Sequence, residues 1–208
     1  MRNLDRIGER LIEHAYLTFL AVGIGLAICL PAGIYAYRHR RFYAPVTWVA
    51  GVLYTIPSLA LFAFLTTYTG LTTLTAEIGL VSYTLLILTR NVVAGLDGVP
   101  ADTKEAALGM GYTSRQLLWR VELPLAFPVI LAGIRVATVT IIGLVTVTAL
   151  IGKGGMGFFI LQGMRRFFST PIIVGAVLSV AMAVTADLAL LGLQKMLTPW
   201  TRPPAGVA

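Results

Sequence analysis

The sequence predicts an all-α membrane protein of five transmembrane helices. Hydrophobic residues make up 57% of its 208 positions and charged residues only 12%, whereas an ordinary soluble domain is about a quarter charged. Mean hydropathy is +0.84, and apolar runs of span length recur along the chain with charged stretches between them. A chain of this size holds one such bundle and little else, so any energy source is expected in another chain. The formal net charge of +7 is scattered between apolar runs, which fits Lys and Arg anchoring loops at a lipid surface and gives no nucleic-acid patch. Cys29, the single cysteine, lies inside an apolar run and reads as a small buried hydrophobe.

From Ala15 to Tyr37 no residue is charged, and about 20 apolar residues at 1.5 Å each cross the hydrocarbon core, giving span one. Ahead of it, residues 1–14 alternate Arg2, Arg6 and Arg10 with Asp5, Glu9 and Glu13, the spacing of a short amphipathic interfacial helix. Residues 42–76 carry no charge. Span two is placed over Pro45 to Leu65, with the polar, glycine-broken stretch Thr66 to Thr73 as a short outer loop. Span three follows from Glu77 to Leu96, with Arg90 near its inner end, where a long side chain can reach phosphate.

Span four covers Leu125 to Ile151, apolar apart from Arg135, and span five covers Ile172 to Leu193, apolar apart from Asp187. An intramembrane charge is costly and avoids lipid. Arg135 lies 11 residues beyond Pro124 and Asp187 lies 12 before Pro199, so both reach comparable depth from one surface: either they pair, between spans four and five or near the inner gate, or each satisfies a backbone carbonyl or water of its own. An odd number of spans puts the termini on opposite sides. With the amino terminus outside, the inner segments hold Arg38, Arg40, Arg41, Arg90, Lys104, Arg115, Arg120, Lys195 and Arg202, and the outer ones hold Arg2, Arg6, Arg10, Lys153, Arg165 and Arg166. The excess inside favours that orientation in a multi-pass cell-membrane protein, with 197–208 as a cytoplasmic tail.

Residues 97–124 form the one long charged segment between spans, and they read as two short helices. Pro100 offers a first-turn proline, Asp102 a cap and Glu105 its partner; Gly111 can end the helix left-handed. Thr113 and Gln116 make a second capping pair, and Pro124 opens span four. Two alanines and a glycine leave little bulk on one face, so the first helix can lie deep in a cleft of another protein, with Glu105 as its directed charge.

Glu105-Ala106-Ala107, three residues, Gly111, nine residues and then Val121-Glu122-Leu123-Pro124 resembles the coupling loop of the membrane subunits of ABC importers, departing from its pattern only in Val121 for Ile. Tyr54 to Phe62, Leu123 to Arg135 and Ala149 to Gly157 are similar to permeases of osmoprotectant importers. The resemblance implies the five-span, MetI-like type I importer fold over residues 15–196. It implies docking of Glu105, Ala106, Ala107 and Gly111, with Leu123 and Pro124 behind them, on ABC ATPase subunits that bind the ATP. It also implies a second permease of the same or a homologous kind, and an extracytoplasmic binding protein that delivers glycine betaine, carnitine, choline or proline. Methionine or another small solute is the alternative cargo.

Tyr54, Pro57, Ser58, Arg135 and Asp187 are the pathway or gate candidates. Tyr54, Phe62, Phe64 and Tyr68 supply aromatic faces along span two, the kind of surface that attracts quaternary ammonium groups.

Other signals fail on context. Gly152 to Gly157 satisfies G-x-G-x-x-G, but an apolar span precedes it and Val177 stands where a dinucleotide site needs an acid, so a tight turn or a re-entrant element is expected. The same residues lack the register of a P-loop. His14 and His39 flank span one at opposite ends, which separates them too far for a shared metal. No nucleophile with a base is evident, and neither enzyme activity nor a cofactor is expected. A secondary carrier or channel would need ion ligands or inverted repeats, which the sequence does not offer.

Overall fold

The computed structural model describes residues 2–201, with side chains from Leu4 to Trp200. Helices follow one another with short breaks: α1 Arg2–Arg38, α2 Tyr43–Thr55, α3 Ser58–Thr69, α4 Thr73–Asp97, α5 Ala101–Gly109, α6 Ser114–Leu117, α7 Leu123–Val147, α8 Gly157–Arg166 and α9 Ser169–Leu197. Four stretches are long and apolar enough to cross a membrane: Leu4–Arg38, Thr73–Asp97, Ser114–Ile151 and Ser169–Leu197. The pair formed by Arg40–Thr55 and Ser58–Thr69 is bent by 94° and can make a fifth, broken span.

The core is three-helical. α1 and α4 run parallel and touch through small residues: a Cβ on Gly25 would fall 2.0 Å from Thr84 Oγ1, and one on Gly33 would fall 2.6 Å from Val92 Cγ1. α7 packs against α4 in the opposite direction, with Gly95 against Ala126 and Gly133 against Asn91. Backbones approach closely at such contacts, so dispersion holds helices together where lipid removes the hydrophobic drive. α9 packs along α7 and against α8, but most of its apolar stretch stays uncovered, only 11% of it being buried. Cys29 is buried in the α1–α4–α7 seam, as its setting in the sequence suggested, with its thiol 3.5 Å from the Leu85 carbonyl.

Two expectations are corrected. Span two, placed as one helix over Pro45 to Leu65, is broken at Ile56 and Pro57, whose ψ values of 127° and 128° are extended. Proline disfavours helical backbone in the residue before it, and the freed Ile56 carbonyl accepts a hydrogen bond from the Tyr83 hydroxyl. Residues 2–14 are not a separate interfacial helix but the first turns of α1, which has 37 residues. At 1.5 Å per residue that is about 55 Å, well beyond the ~30 Å hydrocarbon core. The Arg10–Glu13 pair at 2.6 Å supports those turns. Arg202 and the rest of the tail beyond Thr201 lie outside the described residues.

At the end of the bundle opposite α5, the glycine-rich segment turns back into the protein. α8 and α9 form an antiparallel hairpin, with Gly163 against Ile172 and Gly175 against Ile160, and of the two alternatives for Gly152 to Gly157 the structure has the tight turn, with Gly152, Gly154 and Gly155 all at positive φ. Gly155 has φ 48°, and a Cβ there would meet His14 Cβ at 2.4 Å. His14 is fully buried: its Nδ1 accepts from the Met156 backbone N–H at 3.3 Å, so Nε2 donates to the Ile142 carbonyl at 2.9 Å. One imidazole therefore fastens the glycine segment to α1 and α7. His39 sits at the other end of α1, stacked on Tyr35.

Candidate functional site

The candidate coupling segment hangs from the ends of three core helices. α5 starts after Pro100, which occupies the N-cap without a side-chain bond. Asp102 therefore sits in the first turn, where its charge suits the helix dipole, and it is not the cap. Gly111, at φ 85°, makes the left-handed turn that reverses the chain after α5. Thr113 then caps α6: Gln116 N–H donates to Thr113 Oγ1 at 3.3 Å, and Thr113 N–H donates to Gln116 Oε1 at 2.8 Å.

Between α6 and α7 lies one π-helical turn, Leu118–Glu122, in which Leu123 N–H reaches back to the Leu118 carbonyl. Pro124 in the first turn of α7 supplies no N–H, and the backbone widens to accommodate the missing donor. Leu123 packs on the buried cluster of Val92, Leu96, Val99, Leu118, Ala126 and Ile130, so the end of the motif anchors the hairpin to α4 and α7.

The surface of α5 is not the one expected. Glu105, Ala106 and Gly109 are exposed, along with Leu108 at 51% and Met110 at 71%, whereas Ala107 is 2% exposed and faces the protein's own spans. Ala106 and Ala107 stand about 100° apart on the helix, and the boundary between the outer and inner faces falls between them. The free face is acidic and apolar with small residues between: the carboxylates of Asp102 and Glu105, two large hydrophobes, an alanine and a glycine.

Sequence reading missed the ties beneath that face. Lys104, one turn before Ala107, donates to the Tyr37 hydroxyl at 2.9 Å and to the Leu96 carbonyl at 3.3 Å. Tyr37 donates to Glu122 Oε1 at 2.7 Å. Lys104 and Glu122 are 3.8 Å apart, and Glu122 is 4% exposed. Alongside, Arg38 donates to the Ser114 carbonyl at 2.7 Å, and Arg40 forms an ion pair with Asp97. The only sequence signal was a carboxylate immediately ahead of an apolar span.

Arg135 and Asp187 meet between α7 and α9. Nε donates to Oδ1 at 2.8 Å and Nη2 to Oδ2 at 2.9 Å, a bidentate pair. Gln194 extends it, lying 3.4 Å from Arg135 Nη1 and donating to the Pro128 carbonyl at 3.1 Å. Tyr54, Pro57 and Ser58 lie apart from this pair, at the break between α2 and α3, where the Tyr54 ring meets Tyr83 edge-on at 5.8 Å. Phe62 is buried and serves packing, whereas Phe64 and Tyr68 are exposed at 59% and 75%. The pathway candidates thus form two groups, one on the broken helix and one on the α7–α9 seam.

Comparison with known proteins gives this geometry a context. The chain is 37% identical over 202 residues to the osmoprotectant import permease protein OsmW of Salmonella typhimurium, covering 95% of this chain and 94% of that one. It is 38% identical over 187 residues to the carnitine transport permease protein OpuCB of Listeria monocytogenes, covering 90% and 86%. Its fold matches a chain of the MetNI methionine ABC transporter, solved in an inward-facing conformation, with a TM-score of 0.85 at 22% identity over 95% of this chain and 99% of that one. Residues 22–203, which contain α5, the broken helix and the Arg135–Asp187 pair, match the binding-protein-dependent transport system inner membrane component. By that match and by its relatives, the chain belongs to the family of binding-protein-dependent transport system inner membrane components.

Proposed function

We propose that this chain is the permease subunit of an ATP-driven importer that admits a small quaternary ammonium or related compatible solute: glycine betaine, carnitine, choline or proline. The observation that carries the solute class is the sequence identity, over nine-tenths of the chain, to permeases named for osmoprotectants and carnitine. ATP is bound and hydrolysed by a partner subunit, and an extracytoplasmic binding protein delivers the solute.

In this reading the exposed face of α5 docks on the ATPase. Glu105 offers a charge, Leu108 and Met110 offer apolar anchors, and Ala106 and Gly109 permit close approach. The excess of Lys and Arg on the α5 side supports a cytoplasmic position for that face and an outside amino terminus. A second permease, the same chain or a homologue, covers α2 and α3, whose Trp48, Leu59, Phe64 and Tyr68 are otherwise bare. Tyr54, Pro57 and Ser58 then line the path at the joint. Closure of the ATPase moves the paired α5 helices, α7 follows, and the joint opens to one side or the other.

Competition tests the solute. Uptake of radiolabelled glycine betaine by the reconstituted importer is expected to fall in the presence of excess carnitine or choline and to be unaffected by methionine. Inhibition by methionine alone would move the chain to the methionine reading.

A further inference from the structure

We infer that Lys104, Tyr37 and Glu122 form the linkage through which α5 moves the spans, with Lys104 as a positioning residue that joins it to three helices at once. The inference rests on the docking of α5 proposed above. α5 has nine residues, too few to be stable or stiff alone, and Ala107 is its one buried side chain. Apolar packing therefore gives it little grip. The grip comes from Lys104, whose ammonium reaches the Leu96 carbonyl at the end of α4 and the Tyr37 hydroxyl at the end of α1. It also lies 3.8 Å from the Glu122 carboxylate at the start of α7.

The bonds are directional. Lys104 donates to Tyr37, and Tyr37 donates to Glu122, so the hydroxyl is used as donor and acceptor together and a phenylalanine cannot replace it. Glu122 is 4% exposed, so its charge is held by these two partners and not by water. A buried charge that must keep its partners resists stretching. Displacement of α5 is then passed to α1, α4 and α7 rather than absorbed in the loops at 98–100 and 110–113. Lys104 is half-buried beside the exposed Glu105, about 100° around the helix from it, so one helix carries its docking face outward and its linkage inward.

The test is the number of ATP molecules hydrolysed per glycine betaine imported, measured in proteoliposomes holding the permease, its ATPase and its binding protein. A variant that merely folds poorly lowers the amount of working complex and leaves this ratio unchanged. Tyr37→Phe, Lys104→Met and Glu122→Gln are each expected to raise the ratio about tenfold, the size of a typical coupling between sites, while the ATPase still co-purifies. Lys104→Arg keeps the donor and restores most of the coupling. The exchange Lys104→Glu with Glu122→Lys runs the Tyr37 bonds backwards but leaves the Leu96 carbonyl without its donor, so it recovers the coupling only in part. Unchanged ratios in all three single variants, with a tightly coupled wild type, overturn the linkage and leave docking intact. Loss of the ATPase from the variants also overturns it, by showing that the three residues shape the docking face. An uncoupled wild type overturns the docking reading itself.

Discussion

Replacing Asp187 with alanine is expected to lower solute uptake by about tenfold or more, and Arg135→Ala is expected to do the same. Asp187→Ala leaves Arg135 only its longer contact with Gln194, and Arg135→Ala takes from Asp187 the guanidinium that holds both its oxygens. The effect is large because the bidentate pair, extended by Gln194, ties α9 to α7 on a helix whose apolar stretch is only 11% buried. Exchanging the two residues, Arg135→Asp with Asp187→Arg, restores the attraction in reverse and is expected to recover uptake well above either single reversal. Size-exclusion profiles of the solubilised importer show whether α9 has loosened. A double exchange no better than the single ones would show that the pair is not the contact that matters.

The second large effect lies on α5. Glu105→Lys reverses a charge in the middle of the exposed face, and Gly111→Val places a β-branched residue at φ 85°, a conformation that costs such a side chain about 1–3 kcal/mol. Both are expected to reduce uptake by more than about tenfold, as a coupling interaction lost between subunits does. They should do so for different reasons. Glu105→Lys keeps the hairpin and weakens attachment of the ATPase, so co-purification of that subunit falls. Gly111→Val disturbs the turn between α5 and α6, so the hairpin becomes protease-sensitive. Membrane insertion is unaffected in both, because the apolar spans are untouched.

The spans were legible because hydropathy is a sum over many residues and tolerates local error. α4 and α9 begin and end within a few residues of the expected spans. The Arg135–Asp187 contact was half legible: two charges in apolar spans at matching distances from the same surface offered a pair, but a carbonyl or water for each was equally open until the structure joined them. The break at Pro57 was available in principle, since a proline constrains the residue before it, but an uninterrupted run of apolar residues outweighed it. Ala107 was assigned to the wrong face because the motif was read as a string, although the turn of a helix separates adjacent residues.

What the sequence withheld are contacts between residues far apart along it. Tyr37 and Glu122 are separated by 85 positions, and His14 and Ile142 by 128. No local pattern announces such pairs. A buried histidine that fastens a glycine turn looks, in one dimension, like a histidine at the start of a span. The chemistry of the coupling region was similarly half visible: the motif marked where α5 lies, and only the folded arrangement shows that Lys104, outside the motif, connects it to the bundle.

The most direct test of the central claim is uptake of radiolabelled glycine betaine into proteoliposomes that contain this chain, its ATPase and its binding protein, with ATP supplied on the ATPase side or withheld. The account predicts accumulation only with ATP and with all three proteins present. Equal accumulation without ATP, or without the ATPase, would contradict it and make the chain a passive or secondary carrier.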